Sequence, residues 1–121
     1  MNIIIEPNGN FAIYEQIVSQ IRQEILTGKL AAEEALPSIR KLAAEVGVSV
    51  ITTKRAYEEL EKEGLIRSVA NKGFYVCRYN RDYLREKQLI ELEKQFTDAI
   101  AQAQKSGLGK KEILDMVEGL L

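Results

Sequence analysis

The sequence predicts a mainly α-helical fold with a small β-hairpin, a winged helix-turn-helix followed by a short α-helical dimerisation region. Three observations predict it. Amphipathic segments come to an end at Gly28, Gly47 and Gly64. Two β-rich runs, Leu65 to Val69 and Phe74 to Arg78, flank the tetrapeptide Ala70-Asn71-Lys72-Gly73. From Asp82 onward the chain turns charged and helical.

The first helix is expected over Phe11 to Thr27, where Tyr14, Ile17, Val18, Ile21 and Ile25 recur at offsets of three, four and seven. Gly28 ends it, since glycine enters the left-handed cap conformation without a Cβ clash. Lys29 to Pro37 reads as a connector, with Leu36 extended ahead of the proline. Ser38 is an N-cap residue for a second helix that turns Ile39, Leu42, Ala43 and Val46 inward and stops at Gly47. After the turn Gly47-Val48-Ser49, a third helix runs from Val50 to Glu63, with Ala56, Tyr57 and Leu60 on its inner face. Two short helices across a tight glycine turn form a helix-turn-helix pattern. The hairpin follows at once, its asparagine and glycine suited to positive φ. Beyond it, Asp82 to Lys105 carries Leu89, Leu92, Phe96, Ala99, Ile100 and Ala103 as a heptad-like seam for packing on a partner helix. Ser106-Gly107-Leu108-Gly109 breaks that helix, and a last one from Lys110 to Glu118 bears Ile113, Leu114, Met116 and Val117. The expected organisation is a winged helix-turn-helix domain over residues 1–79 and a two-helix dimerisation region over 80–121.

Composition removes whole classes of function. With no histidine and a single cysteine, Cys77, the chain has no Ser-His-Asp triad, Cys-His dyad or zinc-ligand set. A lone cysteine fits a reducing compartment, and the start of the chain has neither the basic flank nor the long apolar run of a signal peptide or membrane span. A soluble cytoplasmic protein without cofactor or metal, and not an enzyme, is expected. The formal charge of −1 argues against a nucleic-acid partner only if it is evenly spread, and it is not. Residues 38–57 hold four basic side chains against one acidic, and residues 65–87 hold six against two. The intervening 58–64 hold four glutamates against one lysine, and residues 1–37 are also acidic. The helix-turn-helix and the hairpin are thus the basic parts, and a local basic patch supplies phosphate affinity whatever the total charge.

From Ile13 to Val76 the chain resembles the DNA-binding domain of the GntR family of bacterial transcription regulators. The resemblance rests on Tyr14-Glu15-Gln16-Ile17, Gly28-Lys29-Leu30, Leu36-Pro37-Ser38-Ile39-Arg40-Lys41-Leu42-Ala43 and Val46-Gly47-Val48-Ser49. It continues through Thr52, Arg55-Ala56-Tyr57-Glu58-Glu59-Leu60, Glu63-Gly64-Leu65-Ile66 and Gly73. The short stretch after the hairpin is similar to the YtrA-type subfamily, whose members carry a two-helix dimerisation tail.

The resemblance implies roles. Ser38 and Arg40 start the helix where the family contacts DNA, and the planar fork of Arg40 suits both phosphate and guanine edges. Ser49, Val50, Thr52 and Lys54 lie on the first turns of the recognition helix, with Thr52 bonding a phosphate or a base and Lys54 neutralising phosphate. Arg55 is a further backbone contact, and Asn71, Lys72 and Gly73 form the wing tip beside the minor groove. Leu89, Leu92, Phe96, Ala99, Ile100, Ala103, Ile113, Leu114 and Val117 are the implied dimer seam. Val50 and Ile51 stand where the family often has polar or basic residues. Such side chains can touch thymine methyls but cannot hydrogen-bond a base, so specificity leans on Arg40, on shape or on A·T content. Ile51 alternatively faces the core. The implied partners are an operator duplex and a second copy of the chain, and no residue pattern names a small-molecule effector. The other reading is a winged-helix module that uses its basic face for an acidic protein. Tyr75, Tyr79, Tyr83 and Cys77 read as packing residues.

Overall fold

The computed structural model describes residues 1–78 and 81–121, with the side chains of these except at 81 and 83. The expected boundary after Tyr79, that tyrosine itself and the side chain of Tyr83 lie outside the described residues. The chain divides into two units, Met1–Arg81 and Asp82–Leu121.

In the first unit, α1 spans Ile13–Leu26, α2 Ile39–Val46 and α3 Val50–Lys62, followed by the strands β1 Ile66–Val69 and β2 Gly73–Val76. The expected inner face of α1 is buried at Ile17, Val18, Ile21 and Ile25, while Tyr14 stays half-buried at its rim. α1 packs on α3, and α2 packs on α3 as well. Leu42 and Ala43 come from α2, and Thr53, Ala56, Tyr57 and Leu60 from α3. Leu30, Leu36, Leu65, Ile66 and Val76 complete this core. Thr53 is its polar member. Its hydroxyl donates to the Ser49 carbonyl at 3.1 Å, which is what allows a threonine to sit fully buried. Tyr57 is the largest fully buried side chain; its hydroxyl donates to the Pro37 carbonyl at 2.7 Å, and its ring meets Phe74 edge-on at 5.0 Å. Burial, reinforced by the charge of Glu45, pushes the Tyr57 phenol well above its ordinary value.

Two parts of this unit differ from expectation. The connector after α1 runs beside the hairpin and joins it by an isolated β-bridge: Ala35 bridges Tyr75, Leu36 N–H donates to the Phe74 carbonyl at 2.9 Å, and Val76 N–H donates to the Glu34 carbonyl at 2.9 Å. Its entry is a tight turn that holds Glu33 at φ 68, a conformation that costs a residue with a Cβ. Ahead of α1, Gln16 and Gln20, one turn apart, hold the extended start of the chain. Gln20 accepts from and donates to the backbone of Ile4, at 2.9 and 2.7 Å. Gln16 does the same for Glu6, at 2.8 and 2.9 Å. Two side-chain amides thus act as a strand partner.

Helix α4, Arg81–Lys105, which forms the second unit from Asp82 on, is followed there by α5, Lys110–Leu120. Gly107 at φ 92 ends α4, with Leu108 N–H returning to the Ala103 carbonyl at 3.1 Å. The Glu112 carboxylate accepts from Gly109 N–H at 3.3 Å, capping the start of α5.

Candidate nucleic-acid interface

The starts of α2 and α3 are built alike. Ser38 Oγ accepts from Lys41 N–H at 3.1 Å, and Ser49 Oγ accepts from Thr52 N–H at 3.0 Å. Each serine satisfies one free amide of its helix, while the remaining amides keep the helix start electropositive. Ser49 also donates to Thr52 Oγ1 at 2.8 Å. That bond engages the acceptor side of the Thr52 hydroxyl and leaves its own proton available to an outside acceptor. Gly47, at φ 78, makes the sharp turn between the helices; no heavy atom lies within 4 Å of an added Cβ, so conformation and not space demands glycine there.

Arg40 and Lys41 are exposed beside the first of these starts, and Val50, Ile51, Lys54 and Arg55 beside the second. Ile51 is 81 % exposed and Val50 46 %. The core alternative for Ile51 is therefore ruled out: Thr53, two positions on, occupies the inward direction instead. The Arg55 guanidinium lies over the ring of Tyr14, 3.8 Å from its centroid, a cation–π contact that links α3 to α1.

The hairpin is tied to α3. The Glu61 carboxylate accepts from both the backbone N–H and the hydroxyl of Ser68, each at 3.1 Å. The strands pair antiparallel in the register Ile66↔Val76, Arg67↔Tyr75, Ser68↔Phe74 and Val69↔Gly73. Gly73, expected in the tip, is instead the first paired residue of β2, because Lys72 N–H already closes the turn on the Val69 carbonyl at 3.0 Å. Asn71 sits at φ 64, a conformation asparagine accepts better than most residues. Lys72 is exposed beside it, and Arg67 lies 6.0 Å from the ring centroid of its cross-strand partner Tyr75.

Three described cations of this unit are ion-paired. Arg22 grips Glu63 with two hydrogen bonds of 2.9 Å, Lys62 meets Glu59 at 3.8 Å, and Arg78 meets Glu33 at 3.4 Å. Among the described residues, Arg40, Lys41, Lys54 and Lys72 have no carboxylate at ion-pair distance. Burial raises the Cys77 thiol, with Arg67 opposing and Glu61 reinforcing the shift. No helix among the described residues is long and apolar enough to cross a membrane.

In the second unit the residues expected in a dimer seam differ in exposure. Leu89, Leu92, Phe96, Ala99, Ile100, Leu114 and Val117 are exposed, whereas Ala103 and Ile113 are half-buried near the turn. Sequence reasoning missed Thr53, the Arg55–Tyr14 stack and the Gln16–Gln20 clip. Only the i, i+4 spacing of the two glutamines signalled any of them.

Three packed helices followed at once by an antiparallel hairpin define the chain's class as a winged-helix protein, and the cations without carboxylate partners among the described residues, on α2, α3 and the hairpin, suit a phosphate backbone. The model of the bacterial regulatory proteins of the gntR family matches residues 13–76. The chain belongs to that family. It is similar to the HTH-type transcriptional repressor YtrA of Bacillus subtilis, 29 % identical over 96 % of this chain and 89 % of that protein. Among solved structures, a GntR family transcriptional regulator from Listeria monocytogenes matches at 36 % identity with a TM-score of 0.66, covering 93 % of this chain and 97 % of that one. The DNA-binding domain of AraR, in complex with operator ORE1, matches at 26 % identity and a TM-score of 0.54, covering 64 % of this chain and 94 % of that one. The protein is a DNA-binding transcription regulator with the winged-helix fold expected from its sequence.

Proposed function

We propose that the protein is a homodimeric repressor that reads a palindromic operator with the first turn of α3 and steadies itself on phosphates through α2 and the hairpin. The observation that carries this reading is the set of exposed cations, Arg40, Lys41, Lys54 and Lys72, that have no carboxylate partner among the described residues. DNA phosphates would provide the counter-charge, and their release of bound cations drives affinity.

In this reading Arg40 contacts a phosphate or a guanine edge. Ser38 and Ser49 hold the helix starts against the backbone, Thr52 donates its remaining hydroxyl proton to a phosphate, and Lys54 and Lys72 neutralise phosphates. Val50 lines the major-groove surface, and Asn71 and Gly73 shape the turn that brings Lys72 to the minor groove. Arg55 reaches the backbone with Tyr14 beneath its guanidinium. The apolar faces of α4 and α5 pair with those of a second copy, through Leu89, Leu92, Phe96, Ala99, Ile100, Ala103, Ile113, Leu114 and Val117. Two-fold symmetry then sets half-sites about one helical turn apart, roughly 10 base pairs. The setting is the cytoplasm.

A mobility-shift titration of Arg40→Ala combined with Lys54→Ala tests the assignment. The double variant should lose operator binding while keeping its helical circular dichroism. Every phosphate deprived of its protein cation should make the dependence of log affinity on log salt shallower by about one. Wild-type affinity in the double variant would sink the residue roles.

A further inference from the structure

We infer that Ile51 is a base-reading residue of the recognition helix, and that it selects a thymine by packing on its C5-methyl group. The inference rests on the DNA-binding reading of the α3 face and deepens it.

Four side chains of the first turns of α3 are held by contacts within the fold. Ser49 caps the helix and bonds Thr52, Thr52 accepts that bond, Thr53 is buried against the Ser49 carbonyl, and Arg55 lies on Tyr14. These contacts leave Ser49, Thr52 and Arg55 suited to the DNA backbone, and the exposed side chains that no such contact engages are Lys54 and an apolar pair, Val50 at 46 % and Ile51 at 81 % exposure. An isoleucine so exposed has no structural use inside the unit, since the neighbouring core is complete without it. Its surroundings are cationic: Arg40, Lys41 and Lys54 are exposed on the same two helices without carboxylate partners among the described residues. A polyanion complements that frame, whereas an acidic protein groove would leave the apolar side chain facing carboxylates. In the major groove of a duplex the apolar feature offered by a base edge is the thymine methyl, and a branched aliphatic side chain has no other selective contact to make there.

The test separates the methyl from everything else. Duplexes selected from a random pool by the full-length protein give the operator, and each thymine is then replaced singly by 2′-deoxyuridine, which removes the methyl and keeps the pairing. At one position in each half-site the wild type should bind deoxyuridine about fourfold more weakly, the factor that burying one methyl group contributes to an equilibrium. Ile51→Ser, a change at an exposed site, should melt at the wild-type temperature and bind thymine and deoxyuridine equally at that position. Selective binding that ignores every deoxyuridine, or a variant that keeps the full methyl preference, overturns the role of Ile51 and leaves the regulator reading intact. Failure to select any duplex overturns both.

Discussion

The two units of this chain handle apolar surface in opposite ways. Met1–Arg81 closes a core of its own, with α1, α2, α3 and the hairpin each contributing fully buried side chains. In Asp82–Leu121 no described side chain is buried: Leu92, Phe96 and Leu114 stand in solvent on helices that are nonetheless regular and well terminated. Helical periodicity therefore does not imply a core. Two helices can present one apolar stripe each and still lack the third surface that would cover them. The first unit covers its apolar side chains itself, and the second leaves its own exposed.

That contrast can be broken first at Tyr57. Tyr57→Ala removes a fully buried ring and its bond to Pro37, and should cost about 3–5 kcal/mol in urea denaturation, enough to unfold a marginal domain. The same truncation at the exposed Phe96 should leave the unfolding of the first unit unchanged. Phe96→Asp, by contrast, should halve the mass seen in sedimentation and weaken operator binding by about 100-fold, the scale of forfeited bivalency, with the helix-turn-helix still folded. A dimer that persists in Phe96→Asp, together with undiminished affinity, would show that the second unit is not the clasp.

Alkaline pH gives a subtler comparison. Because the folded Tyr57 phenol titrates above the ordinary value of 10.0, the unfolded chain releases that proton first, so stability is full below pH 10.0 and declines as pH rises beyond it. Tyr57→Phe should lose this part of the decline in denaturant midpoints measured from about pH 8 to about pH 11. It should also cost about 1 kcal/mol at neutral pH for the missing hydrogen bond. The smallest effect is expected at Glu33, where glycine would relieve the positive φ. Glu33→Gly should raise stability in the same denaturation assay by about 0.5 kcal/mol, the strain relief being partly offset by a freer unfolded chain. Its exposed pair with Arg78 adds little to the balance.

Much of this was legible in residue order. Serines at 38 and 49 and glycines at 28, 47 and 64 marked helix ends because capping is a local transaction between a side chain or a left-handed residue and the next few amides. The basic segments were visible for the same reason, as counts along the chain. The bridge from the connector to the hairpin was not, because Ala35 meets Tyr75 across a long stretch of chain and its sequence has no strand periodicity. The clip by Gln16 and Gln20 showed in the sequence only as an i, i+4 spacing, since glutamine on a helix ordinarily points to water. Arg55 shared its sequence signature with the other cations, and only the packing of α3 on α1 put an aromatic ring beneath it.

Element order, helix ends, the hairpin and the family were all written in the residues, because each depends on short-range chemistry or on side chains in series. Packing was needed to settle which cations lack carboxylates among the described residues, that Thr53 turns inward while Ile51 turns outward, and that the last two helices keep their apolar faces bare. Those are questions of which surfaces meet across long sequence separations. Side-chain period narrows the choices, but only the packed neighbours select among them.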